Sequence, residues 1–349
     1  MKICYFGIYN PNYSRNDILL SGLSQIGVEV IQCRTDWQDP QRYFKLWKVL
    51  RALHNEYDCV YAAYPSPVAT ILARLVSSKP VICDAFYSMF DCVVNDRQEV
   101  AWWHPRAVKL LVIDWLSMVF ATAAITDTDA HRQYWASWWG LNGKKIHPVY
   151  LGVNDKIIHP MHVAKKDYFL VHWHGSYIPA QGVDKIIEAA KICVDDPKIR
   201  FRMIGDGAGF KKIQKLVENY NLSNLEIVGR RVSLSRVNEY MAEADVVLGL
   251  FGDVDRAMRA IPNKVYEGLA AKKAVINMNS PALREIFSDE EILFVKNDPQ
   301  SIANGIKMLA YDSKKREMLA DKGYKAVSRY FPTPTAQSLI SIISKYVNK

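Results

Sequence analysis

Short runs of apolar residues alternate with longer amphipathic segments along almost the whole chain. Apolar runs of about four to eight residues between turn residues are typical of strands buried on both faces, and the segments between them have helical spacing. This alternation predicts parallel sheets with crossover helices. The predicted strands lie at 2–6, 28–32, 58–63, 80–84, 122–126 and 146–151, and then at 168–173, 199–204, 224–228, 245–250, 273–277 and 292–295.

The strand pattern is interrupted once, by the polar segment GVNDKIIHPMHVAKKD at 152–167. A chain of 349 residues suits two domains of ordinary size. We therefore predict an α/β protein of two Rossmann-like, doubly wound domains that face each other across a cleft, each binding a ligand at the carboxyl ends of its strands. The predicted bounds are 1–152 for the first domain, 153–165 for the linker, 166–330 for the second domain and 331–349 for a C-terminal helix crossing back to the first domain.

Helices are predicted between the strands, for example at 15–26, 41–53, 129–139 and 334–347. The longest apolar run, LLVIDWLSMVFATAAI at 110–125, contains Asp114. It is shorter than the roughly 20 apolar residues that a membrane-spanning helix needs. It therefore predicts a buried helix that runs into a strand.

Composition narrows the class of protein. Half of the residues are hydrophobic, which excludes a disordered chain. The net charge of +9 is uneven: residues 1–150 hold 15 lysines and arginines against 13 acids, and the remainder 30 against 23. This favours an anionic ligand or surface. The six cysteines lack metal-site spacing and the N-terminus lacks a secretion signal, so we expect reduced thiols and a cytoplasmic protein.

Two basic segments contain aromatic residues. QRYFKLWKVLR at 41–51 is typical either of a helix lying on an anionic membrane or of a helix that packs Phe44, Trp47 and Leu50 inward with a solvated basic edge. EVAWWHPRAVKL at 99–110 adds exposed aromatics beside positive charge. Both segments are candidates for peripheral contact with the inner face of the plasma membrane. No recognition motif accompanies the charge, so nucleic-acid binding is not predicted.

The stretch LFGDVDRAMRAIPNKVYEGLA raises the question of why Arg256, Arg259 and Lys264 cluster near a proline-started helix. Pro262 fits the first turn of a helix, and Lys264 and Glu267 then share a face. Cations at the positive end of a helix dipole repel one another, so the cluster indicates a strongly anionic ligand such as a diphosphate.

Two glycine-rich turns follow predicted strands. In the first, Gly175 and Ser176 are placed to bring backbone and hydroxyl donors close to a phosphate. In the second, MIGDGAGF, Phe210 occupies the third glycine position of G-x-G-x-x-G, so the dinucleotide fingerprint fails. That turn is interpreted as a tight strand-to-helix connection whose Gly205 and Asp206 line a pocket edge.

Candidate metal ligands lie at three places in the sequence. His172 and His174 lie on one face of a strand, either as a metal pair or as core or cleft-wall histidines. The triplets Asp127-Thr128-Asp129 and Asp253-Val254-Asp255 are candidates for a divalent cation, although Asp129 also suits a helix N-cap. Because cations already stand where a diphosphate would bind, we predict no metal site and no cofactor.

In several blocks the sequence resembles the family-four retaining glycosyltransferases of the GT-B fold (glycosyl transferases group 1). HPVYLGVND resembles the interdomain I-P-N-G-V-D segment of that family, and AAITDTDAHRQYW resembles a strand and helix of its first domain. The donor-domain blocks follow in order: GSYIPAQGVDKIIEAAKI, FRMIGDGAG, EIVGRRVSLSRVNEYMAEADVVLGLF and IPNKVYEGLAAKKAVI.

The resemblance implies roles for individual residues. Glu267 matches the carboxylate that grips the ribose diol, Gly175 the glycine beneath the diphosphate, and VGRRV at 228–232 the loop that reads the base. Three positions depart from the family pattern: Arg259 replaces a glutamate, Gln181 a lysine, and Phe86 a histidine two residues after Asp84. The candidates for binding the donor are Gly175, Ser176, Gln181, Gly205, Asp206, Arg230, Arg256, Asn263 and Glu267. The catalytic candidates are Glu267, Arg259, Lys264 and Asp84. The candidates for contacting the acceptor are Asn10, Tyr13, Asp84, Phe86 and Asp91.

The function implied is transfer of a sugar, with retention, from a UDP- or GDP-linked donor to a glycan or lipid-linked acceptor in cell-surface polysaccharide or glycoconjugate assembly. Two alternatives stay open. One is a nucleotide-sugar epimerase or hydrolase of similar architecture, and the other a non-enzymatic sugar-nucleotide-binding protein.

Overall fold

The computed structural model describes residues 1–54, 56–65, 67–164 and 166–347. The chain divides into two compact units, Met1–Asn154 with Tyr330–Lys349, called unit 1, and Asp155–Arg329, called unit 2. Each unit contains one six-stranded sheet, and every strand pair in both sheets is parallel.

The sheet of unit 1 has the strand order β2-β1-β3-β4-β5-β6. Alternate residues of its central strands enter two different apolar cores, as Tyr61 and Val60 do, because helices cover both faces. The predicted strand at 146–151 ends earlier, at Pro148, and one more backbone hydrogen bond to β5 follows, from the Val149 N–H to Thr126 O at 2.8 Å. The strands are β1 Lys2–Gly7, β2 Glu29–Arg34, β3 Cys59–Ala62, β4 Val81–Asp84, β5 Ala123–Thr126 and β6 Ile146–Pro148.

The helices of unit 1 include the apolar run at 110–125, which is a helix leading into β5 as predicted. A π-helical turn spans Asp91–Asp96. The α-helices described here are α1 Ser14–Gln25, α2 Arg42–Ala52, α3 Pro67–Val76, α4 Pro105–Phe120 and α5 Asp129–Ala136. The last helix of the chain, α14 Pro332–Val347, packs on α1 so closely that a Cβ at Gly22 would lie 2.0 Å from the Pro332 carbonyl oxygen.

Unit 2 has the strand order β12-β11-β10-β7-β8-β9. The strands are β7 Phe169–His174, β8 Ile199–Ile204, β9 Leu225–Val228, β10 Val246–Leu248, β11 Ala274–Met278 and β12 Leu293–Val295. All twelve predicted strands are therefore present. The helices are α6 Val183–Ile192, α7 Phe210–Tyr220, α8 Leu234–Ala242, α9 Asp255–Arg259, α10 Asn263–Ala270, α11 Pro281–Arg284, α12 Pro299–Tyr311 and α13 Ser313–Val327.

Two further features bear on the sequence predictions. Across the described ranges, no helix is both long and apolar enough to cross a bilayer. The six cysteines, all among the described residues, are buried and form no disulfide. Cys4, Cys33, Cys59 and Cys83 lie on strands, where they act as small core residues.

Candidate functional site

The strand order of unit 2 reverses between β7 and β10. In a doubly wound sheet the loops after two such strands diverge and leave a crevice at the carboxyl edge, where ligands bind. The loop after β7 begins at Gly175, and β10 is followed by α9 and α10. This edge therefore brings HWHG at 172–175 together with the predicted cationic segment.

A chain of hydrogen bonds connects β7 to α10. His172 Nε2 lies 3.0 Å from His174 Nδ1, and His174 Nε2 lies 2.6 Å from Glu267 Oε2. All three side chains are buried, with residue exposures of 0%, 8% and 5%. The alternation of a strand places both histidines on one face, as predicted.

One assignment of protons satisfies this chain. When a neutral His174 donates Nε2–H to Glu267, its Nδ1 accepts, and the donor is His172 Nε2–H. His172 Nδ1 is then unprotonated, in agreement with its having no hydrogen-bond partner. Burial, followed by the nearby His174, lowers the pKa of His172 well below its usual value, which keeps this ring neutral. Glu267 is thus held in one orientation by a pair of hydrogen-bonded imidazoles.

Lys264 lies one helical turn before Glu267, and its ammonium group is enclosed. Nζ is 4.2 Å from the centroid of the Trp173 ring and donates to Gln181 Oε1. Burial lowers the pKa of Lys264 well below its usual value, while Glu267 opposes that shift. An anionic ligand would further stabilise the charged form of an amine held by a ring face and one amide.

Gly175 is required by this packing. With a φ of +152°, a Cβ there would lie 2.9 Å from Lys264 Nζ, and the next turn approaches so closely that a Cβ on Gly205 would lie 1.8 Å from the Gly175 carbonyl oxygen. The Gly175 N–H already donates to Ile204 O at 2.9 Å. The expectation that Gly175 supplies a backbone donor to phosphate is therefore wrong for this conformation, and what it supplies is space.

The remaining cations lie on α9, which packs against the 3₁₀ turn Pro179–Gln181. Arg256 and Arg259 are half-buried in its last turn. Pro262 is the N-cap of α10 rather than its first helical residue, and Asn263 begins the helix. Ser176 is half-buried in the loop after β7.

The second turn lies beside the predicted base-reading loop at 228–232, since Asp206 accepts a hydrogen bond of 2.6 Å from Arg231. Arg230 of that loop is exposed. Asp253 pairs with Lys185 instead of forming a paired metal site with Asp255. Among the described residues no group of three or more histidine, cysteine or acidic side chains is placed to hold a metal ion.

The acceptor-side candidates lie in unit 1, and Asp84 requires a correction. Both Asp84 oxygens lie 2.8 Å from Arg15 Nε, and Tyr61 OH donates to Oδ2 at 2.8 Å. The Asp84 side chain has no exposed surface. A carboxylate enclosed by an ion pair cannot contact an acceptor, so in this structure Asp84 stabilises the core.

Phe86 and Asp91 are also turned inward. The Phe86 ring is 1% exposed and lies under the Arg15 guanidinium, 4.8 Å from its centroid. Asp91, 2% exposed, accepts from Asn95 at 2.7 Å in the π-helical turn. Neither reaches the surface, so neither assignment to an acceptor contact is supported.

Asn10 and Tyr13 do lie at an accessible edge, after β1. Asn10 is exposed and caps the turn by accepting from the Asn12 N–H at 3.0 Å. The half-buried Tyr13 ring lies 5.6 Å from Tyr64, which follows β3. The order of this sheet reverses between β1 and β3, so both residues stand at the switch point of unit 1.

The first aspartate triplet has structural roles. Thr128, not Asp129, is the N-cap of α5, since its hydroxyl accepts from the His131 N–H. Asp127 pairs with the buried His131 ring, and Asp129 pairs with Arg132 one turn later. The two carboxylates of the triplet thus face different partners.

The sequence of unit 2 matches a known protein family. Residues 154–326 match the family model described as glycosyl transferases group 1. Unit 2 is a group 1 glycosyltransferase domain. The resemblance is thereby confirmed for the family, while retention stays a prediction. An uncharacterized glycosyltransferase of Methanocaldococcus jannaschii is 31% identical over 167 residues, which is 47% of this chain and 44% of that relative. The match thus spans less than half of the relative's length.

Solved structures resemble the whole chain. Sucrose-phosphate synthase from Thermosynechococcus elongatus matches 99% of this chain and 98% of its own with a TM-score of 0.77 and 16% identity. Anabaena HepE in complex with UDP-glucose matches 99% of this chain and 100% of its own, with a TM-score of 0.72 and 16% identity. These likenesses confirm the predicted GT-B fold.

Two residues of the group 1 domain were missed by sequence reasoning. His174 was placed in a metal pair or a cleft wall rather than beside Glu267, and Trp173 was given no role. The available signal was the H-W-H-G order at the end of a strand. Alternation places the two histidines on one face and Trp173 on the other, immediately before a glycine turn.

Proposed function

We propose that the protein transfers a sugar from a nucleoside-diphosphate sugar to an acceptor hydroxyl. The observation that supports this most is the cluster at the carboxyl edge of β7, where an oriented carboxylate and an enclosed ammonium lie one helical turn apart on α10. The two groups match the two polar parts of such a donor, a ribose diol and a diphosphate. The group 1 family match covers this cluster.

Each part of the donor has a partner in this proposal. Glu267 accepts hydrogen bonds from both ribose hydroxyls, as a carboxylate can. Lys264, Arg256 and Arg259 hold the diphosphate, and the bare Cα of Gly175 leaves room for it. We propose UDP as the nucleotide in preference to GDP, since the HepE structure is a complex with UDP-glucose.

The chemistry requires charge stabilisation on the leaving group. As the bond between the anomeric carbon and the phosphate oxygen breaks, negative charge grows on the diphosphate while the sugar becomes cationic. A preorganised donor aimed at that oxygen contributes about 3 kcal/mol to the barrier reduction. The acceptor oxygen forms the new bond on the same face, which retains configuration, and its proton passes to the leaving phosphate. The fixed cations let the step proceed without a metal ion.

The acceptor in this proposal is a glycan or a lipid-linked saccharide used in cell-surface polysaccharide or glycoconjugate assembly. Asn10 and Tyr13 at the switch point of unit 1 are the candidates that remain for contacting it. A lipid-linked acceptor would place the protein on the inner face of the plasma membrane, with contact through residues 41–51 and 99–110.

Binding and turnover test the proposal. Calorimetry with UDP, GDP and ADP should show micromolar binding of one nucleotide to the wild-type chain. Glu267→Ala and Arg259→Ala should abolish turnover, whereas Arg200→Ala, an exposed arginine at the opposite end of β8, should not change it. Wild-type rates in both site variants would refute the site assignment.

The alternatives predict different products. An epimerase or hydrolase would convert the donor at full rate with no acceptor present. A binding protein would bind the nucleotide and leave the donor pool unchanged for as long as it is followed. Acceptor-dependent UDP release distinguishes the proposed transferase from both.

A further inference from the structure

Helix α4 exposes a large apolar surface. It buries Ala107, Asp114, Ser117 and Met118, while Val108, Leu111 and Val112 are 46%, 37% and 47% exposed. A surface helix of a globular protein normally turns its apolar residues to the core and its polar residues to water. The outward face of α4 therefore lacks a partner of its own polarity within the described chain.

The apolar surface extends beyond the helix at both ends. Trp102 and Trp103, just before α4, are each 67% exposed. Trp139 is 90% exposed, and its carbonyl accepts a hydrogen bond of 2.9 Å from the Trp115 indole, which fixes it beside the middle of the helix. Val119 in the last turn is 41% exposed. We call this surface, residues 102–119 with Trp139, the α4 face.

Cations border the α4 face. Arg106 and Lys109 are exposed on the helix itself. Lys145 donates to the Ala121 carbonyl at 2.9 Å, at the end of α4, and Lys144 beside it is exposed. Glu99, which pairs with Arg106 at 3.0 Å, is the acid paired with this cationic border. Tryptophan and aliphatic residues ringed by lysine and arginine match the boundary between headgroups and acyl chains of an anionic bilayer.

We infer that the α4 face inserts into the surface of an anionic membrane, with Trp102, Trp103 and Trp139 at the headgroup level. The inference rests on the proposed function and deepens it. Insertion of this face would bring an acceptor held in the membrane close to unit 1. It assigns insertion to α4 and leaves to α2 a contact at the membrane surface, because Phe44 stacks on Trp47 and Arg51 covers the same ring. On α2 part of the aromatic surface is therefore already occupied.

Vesicle co-sedimentation of the full chain tests this. Wild-type protein should sediment with vesicles of phosphatidylcholine and phosphatidylglycerol and much less with phosphatidylcholine alone. The triple variant Val108→Ser, Leu111→Ser, Val112→Ser should partition roughly a hundredfold more weakly, because three aliphatic side chains lose their burial. The matched control is Met308→Ser, Met318→Ser, which removes residues of similar exposure, 44% and 42%, from unit 2.

Each outcome decides the inference. Equal sedimentation of the triple variant and wild type refutes it, and so does a wild-type chain that binds neither vesicle. Light scattering that shows a concentration-dependent dimer lost in the triple variant would instead assign the α4 face to a second copy of this chain. UDP binding by the triple variant, measured without vesicles, should equal that of wild type. A chain that binds vesicles but no nucleotide would retain the inference and refute the proposed function.

Discussion

Removing the His174 imidazole should weaken the binding of UDP while leaving the binding of 2′-deoxy-UDP almost unchanged. The reason is that His174 contacts Glu267, and Glu267 is proposed to accept both hydroxyls of the ribose diol. His174 then acts as a positioning residue. Its loss matters only to a ligand that carries the diol.

The magnitude follows from the contact. Nε2 and Oε2 are 2.6 Å apart, and the two side chains are only 10% and 7% exposed. Hydrogen bonds to a charged group in such surroundings contribute about 1.5–3 kcal/mol. His174→Ala should therefore raise the Kd for UDP roughly tenfold to hundredfold. For 2′-deoxy-UDP, which cannot form the paired hydrogen bonds, the change should be within about threefold.

Isothermal titration calorimetry on four proteins measures the effect. Wild type, His174→Ala, His174→Gln and Glu267→Ala are each titrated with both nucleotides. The glutamine variant keeps an N–H donor and should recover part of the discrimination between them. His159→Ala, an exposed histidine of unit 2, serves as the matched control.

The test compares how each substitution changes the binding of UDP and of 2′-deoxy-UDP. If His174→Ala weakens both nucleotides equally, the histidine supports the fold of the site rather than the orientation of Glu267. If Glu267→Ala discriminates between the two nucleotides as well as wild type does, the carboxylate does not bind the diol and the reasoning fails at its first step.

Three further predictions concern buried charges. Asp84→Asn should lower the free energy of unfolding, measured by urea titration, by about 3–5 kcal/mol, because it leaves Arg15 without its charge partner. Unchanged stability would contradict a stabilising role for Asp84. UDP binding should raise the depressed pKa of Lys264 and take up a proton, seen as a buffer-dependent enthalpy that Lys264→Met abolishes. Burial raises the pKa of Asp114 to about 7, so the folded state binds this proton more tightly and stability should fall as pH rises from about 4 to 7, by at most about 1.4 kcal/mol per unit. Urea titrations of Asp114→Asn should show a flatter profile, and an unaltered slope would exclude Asp114 as the source.

The fold could be predicted from the sequence because strands buried on both faces form apolar runs that do not depend on long-range information. Turn residues between those runs then located the crossovers. The end of β6 was misplaced because the apolar pattern continues past Pro148, where Val149 and Leu151 are buried without belonging to the strand.

The site was predictable where its residues are neighbours in sequence. Lys264 and Glu267 share a face of α10, as their spacing and the proline before them indicated. Contacts between distant residues were not predictable: His174 meets Glu267 across 93 positions, and Arg15 meets Asp84 across 69. An aspartate at a strand end gives no sign of whether a distant arginine will enclose it.

The position of α14 has a consequence for synthesis of the chain. Unit 1 is built from residues 1–154 and from the segment that begins at Tyr330, and the two join where the Val153 N–H donates to the Tyr330 carbonyl at 3.1 Å. Since α14 covers α1, helix α1 stays bare during synthesis until residues 332–347 have left the ribosome. Unit 2, contiguous in sequence, can fold in the meantime. A chain shortened before residue 332 should therefore retain a folded unit 2 attached to an aggregation-prone unit 1.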